Sequence, residues 1–308
     1  MTQARRPELV ATNYQVFDNR FASCRGDRWL ERLYQGCHWA EGPVWVPAGR
    51  YLLWSDIPTD RILRWDEPTG TVGVFREPSG NTNGNTLDPS GRLVSCEQGR
   101  RRVTRTEHDG SITVLADHIG PHRFNSPNDV VVRSDRSVWF TDPPAGIASH
   151  YEGSTGQNEV GGCHVYRVDP AAGECTVVAD DFPEPNGLAF SPDERRLFIA
   201  DSSLNHIRVF DVDDRSTLSG GDVFASLTSK GFDGFRFDDE GRLWAGAAEG
   251  VNCYHPDGAL LGRIEVPEIV ANVAFGGAKR NQLFIAATTS IYVIRLGARG
   301  LSLPGRAA

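Results

Sequence analysis

Six polar residues recur at matching places in this chain: Glu41, Asn83, Asn128, Asn186, Asp233 and Asn272. Brought together they would offer two carboxylates and four carboxamides, all hard oxygen donors. That set suits a divalent cation, calcium before magnesium or manganese, and zinc only through oxygen ligands, because no Cys or His stands at these positions. The two acids are the informative members. A water-poor space does not hold two carboxylates without a counter-charge, and a dication would supply it. The amides are less telling, since Asn before Gly is an ordinary turn former. For Asn83 and Asn272 taken singly, a turn role is the expectation. Glu41 is a poor turn residue.

Each of these residues opens a short apolar stretch, followed by a turn and a second stretch, as in Asn186-Gly-Leu-Ala-Phe-Ser-Pro-Asp-Glu-Arg-Arg-Leu-Phe-Ile. Each lies 10 to 12 residues ahead of an apolar anchor, namely Leu53, Leu93, Val138, Leu197, Leu243 or Leu283. The anchors are spaced by 40, 45, 59, 46 and 40 residues, and such a period with alternating apolar positions marks propeller blades. Third and fourth strands are expected as hairpins over Glu67-Pro-Thr-Gly70, His108-Asp-Gly110, Asp169-Pro-Ala-Ala-Gly173, Asp213-Asp-Arg215 and Pro256-Asp-Gly258. The sixth unit stops after Ile291–Arg295, so Leu30–Tyr34 is expected to supply its outer strand and close the ring. The reading is an all-β, six-bladed β-propeller of four-stranded blades over residues 29–299, with a wrapping arm over 1–28 and a tail over 300–308. The first strand of each blade lines the central channel, so the six openers converge on one axis.

Other classes are disfavoured. The 308 residues carry a formal net charge of −8, and Arg100, Arg101 and Arg102 form only a short isolated cluster, so nucleic acid is not an expected partner. No apolar run approaches the roughly 20 residues of a membrane helix. No leader is visible at the N-terminus, and a cytoplasmic location is expected, with an exported form left open. The six cysteines lack CxxC spacing and read as reduced, mostly buried thiols; Cys163 and Cys175 flank one expected hairpin. A monomer or weak homodimer is expected. Two insertions, His118–Pro127 and Pro143–Gly162, read equally as binding loops or as surface decoration. Asp56, Glu97, Asp142 and Asp201 end second strands and are expected to accept blade-stabilising hydrogen bonds. Asn85 is expected to be a neutral comparison for Asp233.

Glu41-Gly-Pro-Val-Trp, Asn125-Ser-Pro-Asn-Asp-Val-Val, Pro185-Asn-Gly-Leu-Ala-Phe-Ser-Pro-Asp and Asp233-Gly-Phe together resemble the family of regucalcin, gluconolactonases and luciferin-regenerating proteins, over about residues 30–297. Asn83-Gly-Asn-Thr-Leu-Asp, Cys96-Glu-Gln-Gly-Arg-Arg-Arg-Val and Phe140-Thr-Asp-Pro-Pro resemble its bacterial gluconolactonase branch. The resemblance implies a six-bladed propeller with one divalent cation and hydrolysis of a sugar lactone to the aldonic acid. It implies Glu41, Asn128, Asn186 and Asp233 as metal ligands, and Asp233 as general base. Arg123, Asn125 and Asn83 are the expected contacts for sugar hydroxyls, although Arg123-Phe-Asn125 is separated from Asn128-Asp129 by Ser-Pro, unlike regucalcin. Whether Asp233 or water activated by the cation begins the attack stays open. The alternatives are a calcium-dependent organophosphate or aryl-ester hydrolase on the same propeller, and a calcium-binding propeller without catalysis. No Gly-x-Ser-x-Gly elbow supports a serine hydrolase.

Overall fold

The computed structural model describes residues 8–169, 171–228 and 231–302. The first seven residues of the expected arm, residues 303–308 of the expected tail and Pro170 of one expected turn lie outside them. Six sheets surround a channel. Running outward from the axis, blade 1 spans Ala40–Val46 to Thr71–Arg76, blade 2 Thr82–Leu87 to Ile112–Ala116, and blade 3 Val130–Val132 to Glu174–Ala179. Blade 4 spans Pro185–Phe190 to Leu218–Ser226, blade 5 Phe235–Phe237 to Leu260–Ile264, and blade 6 begins with Val270–Gly276. The hairpin turns fall where Gly and Asp predict them. Gly70 N–H donates to Asp66 O at 2.7 Å and Gly173 N–H to Asp169 O at 2.7 Å, closing tight turns that need the left-handed φ of 67° and 70° found at these glycines.

Closure is as expected. Trp29–Gln35 pairs antiparallel with Ser290–Arg295, so the first part of the chain completes the last blade. The expected arm turns out to be β-structured where it is described. Glu8–Ala11 pairs with Trp29–Gln35, and Tyr14–Val16 pairs with Leu260–Ile264, giving blades 6 and 5 a fifth strand. Phe21, between these strands and the ring, is fully buried, and its ring occupies the place where a Cβ on Gly262 would stand, 2.2 Å away.

The core is divided among the blade interfaces. Each of six buried apolar clusters joins two neighbouring blades; Val94 and Cys96 of blade 2, for example, pack on Val130, Phe140 and Tyr166 of blade 3. Trp54, Trp139 and Trp244 stand at the same second-strand place in blades 1, 3 and 5 and are fully buried. At ~25 cal/mol per Å², burying an aromatic side chain of 150–250 Å² is worth about 4–6 kcal/mol, so these wedges hold blade against blade. All six cysteines are free thiols. Among the described residues no helix is long and apolar enough to cross a membrane.

Candidate active site

The six openers lie at the starts of the inner strands, and the ladder is broken there. Register shifts fall between Glu41 and Val44, Thr82 and Asn85, Pro185 and Leu188, and Val270 and Asn272. A bulge re-aims a side chain that a regular ladder would hold in the sheet. None of the six openers has a positive φ. The turn role expected for Asn83 and Asn272 is therefore incorrect: both are buried strand residues.

The glycines that follow four of the openers have a different purpose. A Cβ at Gly42 would lie 2.2 Å from Asn83 O, at Gly84 2.5 Å from Asn128 O, at Gly187 2.3 Å from Asp233 O, and at Gly234 2.0 Å from the Asn272 carboxamide. Each glycine thus admits the opener of the next blade, and Gly84 N–H also donates to Asn128 O at 2.8 Å. The repeated X-Gly dipeptide is a device for close approach around the axis.

Charge is concentrated at this end of the channel. Glu41 is buried, and its Oε2 accepts a hydrogen bond from Asn272 Nδ2 at 3.1 Å. Burial pushes its carboxyl up to about 7, against the opposing pull of the Gly42 N–H, and the nearby Asp129 adds to the rise. Asp233 keeps some solvent exposure at the mouth, but protein crowds its carboxyl. Burial, then the carboxylates of Glu41, Glu152 and Asp129, push it well above the usual range, while the Asn186 carboxamide opposes them. Deeper in the channel, Asp129 accepts from Arg236 Nη1 at 3.2 Å across the ring, from blade 5 to blade 3.

Glu41, Asp129, Asp233 and Glu152 set four carboxyl groups against the one guanidinium of Arg236. Asn83 Oδ1 is buried without a hydrogen-bond partner. Carboxyl groups in such excess beside amide oxygens would fit one dication, which would take the place of their protons. Among the described residues no group of three or more His, Cys, Asp or Glu is arranged to hold a metal, so the donor set here is a mixed one of carboxylates and amides.

The other expected residues fare unequally. Asn128 is buried, its N–H donating to Thr141 O at 2.8 Å, and Asn186 Nδ2 donates to Ser202 Oγ at 3.0 Å. Asn125 is locked into blade 3, with Nδ2 donating to Asp142 O at 3.2 Å and Gly162 O at 2.8 Å; only its buried Oδ1 is unpaired. Arg123 lies exposed on the short hairpin His118–Ile119/His122–Arg123, and its guanidinium donates to Arg100 O at 2.8 Å. No hydrogen bond or ion pair joins it to the ring among the described residues. Asp56, Glu97, Asp142 and Asp201 accept hydrogen bonds as expected; Asp142, for instance, takes the N–H groups of Asn125 at 2.7 Å and Ser126 at 2.8 Å. Asn85 is not neutral. Its buried carboxamide donates to Gly42 O and Ser55 Oγ and accepts from Ser95 Oγ at 2.7 Å, tying blade 1 to blade 2.

Sequence reasoning missed Arg236, Asp129 and Glu152. Arg236 had one signal: it is charged between Phe235 and Phe237 in an inner strand, where alternation aims it at the channel. Glu152 belongs to the Pro143–Gly162 insertion, which follows a second strand and so sits at the end of the ring where inner strands begin. Tyr151 Oη donates to His38 O at 3.2 Å, bridging this insertion from blade 3 to blade 1. A cavity of about 510 Å³ opens at the opposite end, where inner strands finish, lined by Trp45, Leu87, Phe190, Phe237 and Phe275 with Arg236 among them.

A family model described as SMP-30/Gluconolactonase/LRE-like region matches residues 39–289. A gluconolactonase of Zymomonas mobilis is 30% identical over 292 residues, covering 86% of this chain and 81% of its own. A pentonolactonase of Haloferax volcanii is 31% identical over 257 residues, covering 81% of each. Among solved structures, a gluconolactonase of Xanthomonas campestris superposes with a TM-score of 0.89 at 36% identity, over 95% of this chain and 98% of that one. With the blade count, the channel and these matches in agreement, the chain belongs to the SMP-30/gluconolactonase/LRE-like family.

Proposed function

We propose that this protein hydrolyses a sugar lactone to the aldonic acid, with Glu41, Asn128, Asn186 and Asp233 holding one divalent cation, calcium by preference. The observation that carries this reading is the excess of carboxyl groups over the single guanidinium of Arg236 at the mouth of a channel ringed by carboxamides. The names of the Zymomonas, Haloferax and Xanthomonas relatives support the lactone as substrate class. A cation held there would polarise the lactone carbonyl and offset the charge that develops on its oxygen.

The chain's own residues divide the remaining work. Asp233, at the mouth, takes the proton of the attacking water on a carboxylate oxygen left free of the cation, and returns it to the ring oxygen as the bond from that oxygen to the carbonyl carbon breaks. Asn272 holds Glu41 in place through Oε2. Arg236 pairs with Asp129 below the site, so that the carboxyl groups left for a cation are those at the mouth. Asn83 Oδ1 and Asn125 Oδ1, both unpaired, are acceptors for sugar hydroxyls, whereas Arg123 would have to leave Arg100 O to take part. The test is hydrolysis of glucono-δ-lactone by chelator-stripped protein with calcium, magnesium, manganese or zinc restored. Turnover that returns with one cation supports the reading; a rate equal to the spontaneous one with every cation, across a panel of sugar lactones, overturns it.

A further inference from the structure

Gln98 ends the second-strand region of blade 2 and is fully buried, yet neither Oε1 nor Nε2 has a hydrogen-bond partner. A carboxamide sealed from water with both ends unpaired is unfavourable and calls for a reason. It lies at the root of the Pro143–Gly162 strap, since a Cβ on Gly146 would stand 2.9 Å from Gln98 Cβ and 3.3 Å from its Cδ. The strap folds back on the same glycine, with Ser154 N–H donating to Gly146 O at 3.1 Å. Glu152, between Tyr151 and that contact, is largely covered but makes no hydrogen bond or ion pair among the described residues. Like charge from Asp233 and Glu184 reaches it, and burial raises its carboxyl, so its covered position is unfavourable as well. Unpaired polar groups thus sit on both sides of Gly146, under a strap pinned across the mouth by Tyr151.

We propose that Gln98 and Glu152 are specificity-determining contacts, which receive the hydroxyl groups of a polyhydroxylated lactone when the strap lifts from Gln98 and closes again over the substrate. This rests on the lactonase reading above. The chemistry matches the ligand class. A carboxamide both donates and accepts, as a hydroxyl does, and a carboxylate accepts from two neighbouring hydroxyls. A lactone without hydroxyls leaves these groups unpaired, and a site built to hydrogen-bond a hydroxyl rejects the analogue that lacks it.

The experiment compares kcat and KM for glucono-δ-lactone and for δ-valerolactone, the same ring without hydroxyls, in wild type, Gln98→Met and Glu152→Gln. Each substitution is expected to lower the ratio of the two kcat/KM values by about 10- to 100-fold, mainly through KM for the sugar lactone. The Tm of Gln98→Met is expected to stay level or rise, because the apolar side chain removes an unpaired amide. An unchanged ratio, or an equal loss on both lactones with a lower Tm, would overturn the inference while leaving the lactonase reading standing. A wild type that turns over neither lactone, nor any other sugar lactone, would overturn both.

Discussion

In the proposed metal site a dication would displace the protons of Glu41 and Asp233, and this should make its affinity a steep function of pH. Glu41, lifted to about 7 by burial, is ionised in only about one molecule in a hundred at pH 5. Proton competition at this one residue therefore weakens binding about 100-fold between pH 8 and pH 5, or ~2.7 kcal/mol. Asp233, also raised by burial and by its neighbouring carboxylates, adds a second factor in the same direction. The sign follows from the raised values: below them the carboxyls keep their protons, so affinity rises with pH by one to two decades per unit. Calorimetric titration of chelator-stripped protein with calcium or manganese chloride at pH 5 to 8 measures this. Two buffers of different ionisation enthalpy count the protons released. Glu41→Gln should weaken binding and lower the slope by about one. A dissociation constant that moves less than about threefold over this range, with no protons released at pH 6, would rule out Glu41 and Asp233 as ligands that compete with protons.

Three further outcomes are expected. Arg236→Met leaves Asp129 buried without its partner and should destabilise the protein by about 3–5 kcal/mol in denaturant unfolding, with Asp129→Asn in the same chain restoring part of the loss. Gly187→Ala drives a Cβ to 2.3 Å from Asp233 O and 2.8 Å from Gly234 Cα, backbone atoms that cannot swing away. It should cost about 1–3 kcal/mol in unfolding and reduce lactone turnover more than tenfold. In chelated protein, Asp142 and Glu41, each raised to about 7, contribute stability that is full below the ordinary carboxylate range and is lost as pH rises through 7. The Tm without metal should therefore fall from pH 5 to 8, and Asp142→Asn should flatten that fall.

The repeat made the architecture readable because each blade must solve the same problem with the same means: an apolar second strand, a turn with Gly or Asp, and a polar opener. The closing strand was readable from the shortfall of the sixth unit. Residues that break the repeat were not. Asp129 reads as half of an Asn-Asp pair at a turn, and its partner lies 107 positions away in blade 5. Glu152 lies in an insertion with no counterpart in the other blades, so no register assigned it to the mouth. Gln98 follows the strand end Glu97 without a signal of its own, and only its burial without partners sets it apart. Asn83 and Asn272 misled because Asn before a bulge and Asn before a turn are written alike, and the difference lies in a φ that sequence does not carry. Asn85 looked expendable beside Asn83, although the register shift between Thr82 and Asn85 breaks their equivalence and makes Asn85 the link between two blades.

Asp233 and the oxygen ring around it are proposed to carry out metal-supported lactone hydrolysis. The most direct measurement is the rate of acid release from glucono-δ-lactone by wild type and Asp233→Asn, each stripped with chelator and then given calcium. Turnover in wild type should disappear on stripping and return with the cation, and a folded Asp233→Asn should show a rate no faster than spontaneous hydrolysis under every condition. Turnover by Asp233→Asn equal to that of wild type, or a wild-type rate indifferent to chelation and to added cation, would contradict it.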